Sequence, residues 1–400
     1  MDLDLLRTLV IGNATRIVLC SLDGLGGLPR PGTAKSELAT ARIPNLHALA
    51  ARSACGLIRH VGPGITPGSG PGHLGLFGYD PLRYVVGRGV LEALGIDFDL
   101  RPGDVAARGN FCSVDGDGRI TDRRAGRIRT DVCTRLVERL RQIRLEGVEV
   151  LVEPVREHRF VLVLRGAGLS GRVSETDPQA LGVPPLPALA LVPEAETTAA
   201  FVNRFVEAAR PLLKDAAPAN MLLLRGFDRQ PDLPRFPEVF GLKAAAIAAY
   251  PMYRGLARLV GMEVLKTGST FADEVTTLRE HWSAYDFFFL HYKDTDKAGE
   301  DGDFDGKVAA LERFDAHLPD ILALRPDVLV VSGDHATPSV LKGHGWQPVP
   351  ALIWSAYCGA DPVRHFTERA CAAGTLGLLA AQDLMPLVMA NALRLTKFGA

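Results

Sequence analysis

The chain makes little use of cysteine as a framework. Its six cysteines (Cys20, Cys55, Cys112, Cys133, Cys358, Cys371) are scattered, with no C-x-x-C pair and no short repeated spacing. That argues against a zinc ribbon and a disulfide scaffold and fits a reducing cytoplasm. No stretch reaches the ~18 uninterrupted apolar residues a membrane span needs. The most apolar candidate, Leu376 to Leu393, is broken by Gln382, Asp383 and Pro386. The first residues lack a basic region, a sustained apolar run and a small-residue cleavage site, so no signal peptide is expected. An excess of charge is also missing. Lys and Arg number 45 against 46 Asp and Glu, a formal net charge of −1, which gives no reason to expect nucleic acid or an anionic membrane as partner. There is no internal repeat, no low-complexity tract and no G-x-x-x-x-G-K-[ST] loop of the kind that cradles nucleotide phosphates. What remains is a soluble cytoplasmic protein, a monomer or small homo-oligomer, whose partner is a small molecule. An anionic substrate would have to be held by a local cluster of positive charge.

What is present is ordinary in composition and distinctive in order. At 47% hydrophobic and 23% charged residues the chain resembles an average globular protein, and 400 residues suggest two domains or one large domain carrying an insert. The run Arg16–Leu22 reads as a buried strand ending in Asp23-Gly24-Leu25-Gly26-Gly27, the α/β pattern in which ligands gather at a strand's carboxyl end. Residues 43–54 read as a helix with Pro44 in its first turn. A Gly/Pro-dense loop, 62–72, leads into His73–Phe77, with a helix starting near Gly72.

The last third repeats this grammar. Strand 286–292 is followed by a charged loop, 293–305, and an amphipathic helix over about 307–324. Strand 327–332 ends in Gly333-Asp334-His335. A further strand covers 349–355, and a helix over 382–395 closes the chain. Strands alternating with helices predict an α/β fold whose mostly parallel sheet is covered on both faces. Between about 95 and 235 the apolar runs shorten (148–152, 160–164, 221–224) and polar turns multiply, which predicts an inserted α+β domain. The expected division is a discontinuous domain, 1–94 with 236–400, and an insert, 95–235.

Acidic or histidine-bearing clusters follow the strand ends: Asp23; Asp294, Asp296 and Glu300; Asp334-His335; and His344. Carboxylate and imidazole suit Mn²⁺, Mg²⁺ or Zn²⁺. Singly, each has a plainer reading, since Asp at a strand end often caps a helix and a lone His is usually a surface or satisfied core residue. Their recurrence at successive strand ends favours one shared crevice. Ser69, within Thr66-Pro67-Gly68-Ser69-Gly70-Pro71-Gly72-His73, is the candidate nucleophile. Flanking glycines let a phosphate approach the backbone, and a serine hydroxyl needs a base or a metal to become nucleophilic at neutral pH. The plainer reading of that segment is a Gly/Pro-rich surface loop.

These residues together carry a resemblance. The segment 65–74 with Leu76-Phe77-Gly78-Tyr79-Asp80-Pro81, the Leu22-Asp23-Gly24-Leu25-Gly26 turn, Arg108-Gly109-Asn110-Phe111, the run 122–128, Val173-Ser174-Glu175-Thr176-Asp177-Pro178 and Leu223-Leu224-Arg225-Gly226 occur in order. Lys293-Asp294-Thr295-Asp296-Lys297-Ala298-Gly299-Glu300-Asp301-Gly302, Ser332-Gly333-Asp334-His335 and His344 complete the series. The whole is similar to the archaeal-type cofactor-independent phosphoglycerate mutases of the alkaline phosphatase superfamily. The resemblance implies interconversion of 3- and 2-phosphoglycerate through a phosphoserine on Ser69, in glycolysis and gluconeogenesis, at a site with two divalent metal ions. Mn²⁺ or Mg²⁺ is expected first, with Zn²⁺ or Co²⁺ as alternatives. It implies that Asp23, Ser69, Asp334 and His335 bind one ion, and Asp296, position 300 and His344 the other. Here Glu300 stands where the family motif has histidine, which makes that site harder in character. Gly27 and Gly72 stand where other small or acidic residues are expected. The insert is expected to bind the glycerate carboxylate and act as a lid, with Arg108, Asn110, Arg124, Arg127 and Arg225 as candidates because a guanidinium matches a carboxylate in two-point contact. A related metal-dependent phosphatase or phosphotransferase acting on another small phosphate ester, homoserine-kinase-like, is the alternative. A binding protein that has lost activity would be expected to have lost ligands first.

Overall fold

The computed structural model describes residues 2–399. It divides into two compact units: Met1–Val85 with Leu233–Ala400, and Val86–Asp232. The first unit opens with β1 (Ile17–Leu22) and β2 (Ala54–Arg59). The second contributes β3 (Val105–Val114), β4 (Ile120–Asp122), β5 (Glu149–Arg156), β6 (Arg159–Arg165) and β7 (Met221–Asp228). The first then resumes with β8 (Ala244–Ile247), β9 (Glu263–Val264), β10 (Phe287–Tyr292), β11 (Val328–Ser332), β12 (Val349–Ser355) and β13 (Gly377–Ala380).

In the first unit eight strands form one sheet in the order β13-β2-β12-β11-β1-β10-β8-β9. All neighbours are parallel except β12, which runs antiparallel to both β11 and β2. The central strands β1, β10 and β11 are buried at every position and mostly apolar because both faces are covered. On one face Phe288 and Leu290 join the core cluster that includes Leu311, Phe314 and Leu318 of helix Phe304–Ala323. On the other, Phe289 meets Phe77 at 4.9 Å and Phe287 meets Phe236 at 4.9 Å between ring centroids. An α/β fold with a mostly parallel sheet therefore follows from the apolar runs read above. Among the described residues no helix is long and apolar enough to cross a membrane.

Four local expectations change. The helix expected over 43–54 covers only Pro44–Ala50, and Ala54 opens β2. The charged stretch 293–305 is not a loop: Asp294–Asp301 is a helix. Asp294 and Asp296 in its first turn complement the positive end of the helix, and Gly302 at φ 75° closes it in the left-handed conformation. The helix near Gly72 begins earlier, at Ser69, and runs to Leu76. Pro71 is tolerated there because first-turn amides have no partner within the helix. The closing helix is shorter, Leu384–Asn391 after a 3₁₀ turn at Ala381–Asp383, and Leu393 at φ 53° lies beyond it.

The second unit is an antiparallel sheet, β4-β3-β6-β5 with β7 on the free side of β3. Its core packs Phe111 and Phe160 with Val137 of helix Thr130–Leu140 and Phe205 of helix Glu196–Leu213. Helix Arg88–Gly95 belongs to this unit.

Candidate functional site

At the carboxyl ends of β1 and β11 the chain turns immediately, and the first side chains past the strands are Asp23 and, after Gly333, Asp334 and His335. Gly24 makes the first turn possible. It sits at φ 67°, and a Cβ there would lie 2.5 Å from Thr337 Oγ1. Helix Ser69–Leu76 supplies Ser69 as its first residue. Helix Asp294–Asp301, following β10, supplies Asp296 and, one turn on, Glu300 on the same side.

These side chains meet. Asp23, Asp296, Asp334 and His335 are fully buried and Ser69 is nearly so. Ser69 Oγ lies 3.3 Å from His335 Nε2. The same nitrogen is 3.3 Å from Asp23 Oδ1 and 3.1 Å from Asp334 Oδ2. His335 Nδ1 is 3.0 Å from Thr337 Oγ1, and Thr337 in turn bonds Asp296 Oδ1. His344 stacks on His335 with centroids 3.6 Å apart and places Nε2 3.7 Å from Asp296 Oδ1, while its Nδ1 is 3.0 Å from the Pro67 carbonyl. Among the described residues two sets of side chains have ligand atoms close enough to share an ion: Asp23, Asp334 and His335, and Asp296, His335 and His344. His335 is common to both. Glu300 stands further out, with its side chain 48% exposed and Oε1 3.9 Å from His344 Nε2.

The electrostatics suit a cation. Asp23 Oδ1 and Asp334 Oδ2 are buried without a hydrogen-bond partner, a costly state that a positive ligand would relieve. Burial, with His344 beside it, pushes His335 down to about 3, so the imidazole is neutral and able to ligate. Burial alone would raise Asp23, but the Lys293 ammonium and the His291 hydrogen bond outweigh it and hold Asp23 well below the usual carboxylate range.

Five residues complete the site that the motifs did not single out. Lys293 Nζ lies 2.9 Å from Asp23 Oδ2 and bonds Asp296 Oδ2 as well. Tyr253 donates its hydroxyl to Asp23 Oδ2 and stacks on His291, whose Nε2 lies 3.1 Å from the same oxygen. His73 Nδ1 lies 2.9 Å from the Ser69 carbonyl and 3.2 Å from Asp334 Oδ2, tying the start of the helix to the β11 loop. Burial works against charge on His73, yet Asp334 and Asp23 raise its pKa. Thr337 is the fifth. His73 was legible in principle, four residues past Ser69 and hence on the same helix face. Lys293 opens the motif that runs to Gly302 and Thr337 lies two residues past His335, whereas nothing local marks Tyr253 or His291.

The structure also accounts for the two unexplained glycines. A Cβ on Gly72 would sit 2.2 Å from the Asp334 carbonyl oxygen, and one on Gly27 would sit 2.0 Å from Glu37 Oε2. Gly72 meets backbone and has no room for a side chain, whereas at Gly27 the Glu37 carboxylate would have to move.

In the second unit, antiparallel register puts Asn110 opposite Arg159 and Arg108 opposite Arg225, so the four share one face of the sheet. Arg108 Nε lies 3.5 Å from the buried carboxylate of Glu92. His158 is buried and held at about 3, first by burial and then by the positive charge of Arg159, Arg108, Arg124 and Arg127. Arg159 was not among the sequence candidates. Arg225 is engaged differently, paired with Glu175 at 3.1 Å and Asp177 at 3.6 Å.

A family model described as 2,3-bisphosphoglycerate-independent phosphoglycerate mutase matches residues 50–220. A probable 2,3-bisphosphoglycerate-independent phosphoglycerate mutase of Thermus thermophilus is 52% identical over 406 residues, covering 100% of both chains. One of Aquifex aeolicus is 49% identical over 410 residues, again covering 100% of both. Among solved structures, the cofactor-independent phosphoglycerate mutase from Thermoplasma acidophilum aligns at 30% identity with a TM-score of 0.68, covering 94% of this chain and 100% of that one. A Pyrococcus horikoshii protein aligns at 28% identity with a TM-score of 0.85, covering 97% and 100%.

Proposed function

Because the chain belongs to the 2,3-bisphosphoglycerate-independent phosphoglycerate mutase family, we propose that it interconverts 3-phosphoglycerate and 2-phosphoglycerate by two phosphoryl transfers through Ser69. The observation that carries this reading is the Ser69 hydroxyl, 3.3 Å from His335 and beside two buried carboxylates, Asp23 and Asp334, each of which has one oxygen without a hydrogen-bond partner.

The donor set fits divalent cations. Asp23, Ser69, Asp334 and His335 would hold one, and Asp296 and His344 the other, with Glu300 within reach of His344 and His335 adjacent to both. Oxygen and imidazole donors favour Mn²⁺ or Mg²⁺, with Zn²⁺ or Co²⁺ as the softer alternatives. Bound there, the ions would lower the cost of charge on the serine oxygen and on the transferring phosphoryl oxygens.

The protein's own groups then have defined tasks. Ser69 gives up its hydroxyl proton as Oγ attacks phosphorus, the bond from phosphorus to O3 of the substrate breaks, and the freed oxygen takes up one proton in turn as glycerate. The 2-hydroxyl of glycerate then gives up its proton and attacks the phosphoserine, regenerating Ser69. Ser69 opens its helix, so that helix directs the positive end of its dipole toward the phosphoryl group. His73 holds the helix start against Asp334, while Lys293, Tyr253 and His291 hold Asp23 ionised and in place. Arg108, Asn110, Arg124 and Arg127 would bind the glycerate carboxylate, and Arg225 would brace that face through Glu175 and Asp177. Glycerate must stay enclosed between the two transfers, or water would hydrolyse the phosphoserine. A glycolytic mutase of this kind belongs in the cytoplasm.

A coupled assay on 3-phosphoglycerate with Mn²⁺, Mg²⁺ or Co²⁺, before and after chelation, tests the proposal in wild type and Ser69→Ala. Turnover without nucleotide or 2,3-bisphosphoglycerate, lost on chelation and in the variant, is expected. Release of inorganic phosphate in place of 2-phosphoglycerate would make the protein a phosphatase, and undiminished turnover by Ser69→Ala would remove the serine from the mechanism.

A further inference from the structure

We propose that Lys307 is a positioning residue whose ammonium clasps together the two loops carrying Asp23 and Asp334–His335, and so sets the geometry of the ion-binding side chains. The inference rests on the metal-binding reading above.

Lys307 lies in the second turn of helix Phe304–Ala323 and is fully buried. Its Nζ donates to three backbone carbonyls: Gly24 at 2.8 Å, Gly26 at 2.9 Å and Thr337 at 2.7 Å. An ammonium has three donors, so its hydrogen-bonding capacity is saturated by backbone alone. Two of the carbonyls lie one and three residues past Asp23, and the third lies two residues past His335. The loops also bond each other directly, through Thr337 N to the Gly26 carbonyl at 3.1 Å and through bridges of Ala336 to Leu25 and Gly26.

Position matters at this junction because Thr337 is itself a connector. Its hydroxyl reaches both His335 Nδ1 and Asp296. Fixing the Thr337 backbone therefore fixes the orientation of the imidazole common to both ion-binding sets. A buried ammonium without a carboxylate in contact is costly, and a packed apolar side chain would fill the space more cheaply. The nearby buried acids bond elsewhere: Glu37 accepts through Oε1 from Ser339 N at 2.7 Å and Ser339 Oγ at 2.6 Å, its Oε2 making no hydrogen bond, and Glu368 accepts from Ser36 at 2.7 Å and Gly27 N at 3.0 Å. They offset the charge at longer range and leave the ammonium to the carbonyls. Lys307 touches no reacting atom. Its role is to hold loops from β1, β11 and the helix after Asp294–Asp301 in one register.

The test is Mn²⁺ binding by titration calorimetry to wild type and Lys307→Met, with folding followed by circular dichroism and melting. A folded variant should bind Mn²⁺ about 10–100-fold more weakly, the usual effect of removing an outer support of metal ligands. Its kcat should fall while KM for 3-phosphoglycerate stays within about twofold, because the arginines of the other unit are untouched. A folded variant that binds Mn²⁺ as wild type does overturns the clasp and leaves the metal reading intact, whereas wild type that binds no Mn²⁺ overturns both. If Lys307→Met does not fold, wild type carries the test by reciprocity: ligand binding that depends on the clasp must stabilise the clasp equally. Saturating Mn²⁺ should slow reductive methylation of Lys307 at least ~10-fold relative to chelated protein, with exposed Lys214 as internal reference, and equal rates would refute the coupling.

Discussion

Replacing Gly72 by alanine tests the placement of the nucleophile without altering its chemistry. The added Cβ would lie 2.2 Å from the Asp334 carbonyl oxygen, 2.9 Å from its carbonyl carbon and 3.0 Å from its Cβ. Comfortable contact needs more than 3 Å, so helix Ser69–Leu76 and the β11 loop must separate by about 1 Å. Backbone stands on both sides, and no flexible side chain can yield in its stead. That movement carries Ser69, three residues earlier on the helix, away from His335 and Asp334. A misplacement of about 1 Å costs on the order of 10²-fold in rate. Overpacking destabilises by about 1–3 kcal/mol, of which the better helix propensity of alanine returns up to ~1 kcal/mol. We therefore expect kcat to drop about a hundredfold with only a small loss of stability, measured by the coupled mutase assay and by urea unfolding. The control is Gly68→Ala, one residue before Ser69, where the nearest atoms to a Cβ are 3.9 Å away. It should keep kcat within about threefold. If Gly72→Ala is as active and as stable as the control, the helix is not seated on Asp334 as described.

Other perturbations follow from the same geometry. Glu300→His should shift metal preference from Mg²⁺ toward Zn²⁺ and Co²⁺, because imidazole is the softer donor, and competition dialysis of the two proteins would show an unchanged ranking if Glu300 takes no part. Gly27→Asp places a carboxylate against buried Glu37 and should destabilise by about 3 kcal/mol or more, read from denaturant midpoints. Burial holds His60 and His158 near 3 in the folded chain against an ordinary value of about 6.5. As pH falls below 6.5 the unfolded chain takes up these protons and the folded chain does not, so stability falls, by up to about 1.4 kcal/mol per pH unit for each histidine. His158→Gln should remove one proton from that dependence between pH 6 and 4 in metal-free protein. An unchanged slope would mean that His158 is protonated in the folded state.

Much of the fold was open to reading because the central strands are buried on both faces. Strands β1, β10, β11 and β12 are rich in Val, Leu, Ile and Phe, and such runs mark themselves. Helix Asp294–Asp301 was not legible for the opposite reason. Its buried residues are Thr295, Asp296 and Gly299, so it turns a polar face to the site and offers no apolar periodicity to detect. The start of helix Ser69–Leu76 was obscured by Gly and Pro, which usually signal a loop and here serve close approach and a first turn. Chemistry stood out where motifs were contiguous: Asp23, Ser69, Asp296, Asp334, His335 and His344 could be named without coordinates.

Distance along the chain is what hid the remainder. Tyr253, His291, Lys293 and Lys307 act on Asp23 or its loop from 230, 268, 270 and more than 280 residues away. Their roles are hydrogen bonds, and a hydrogen bond across a parallel sheet leaves no spacing in the primary order. The residue types at strand ends marked candidate cation ligands, because only a few side chains can ligate cations, and the order of the motifs along the chain carried the resemblance that implied phosphoryl chemistry. Which glycine must be bare, which lysine holds the loops and which imidazole is shared between two ion-binding sets depend on packing at separations of 2–4 Å. Those separations exist only once segments from both ends of the chain have condensed around a common core.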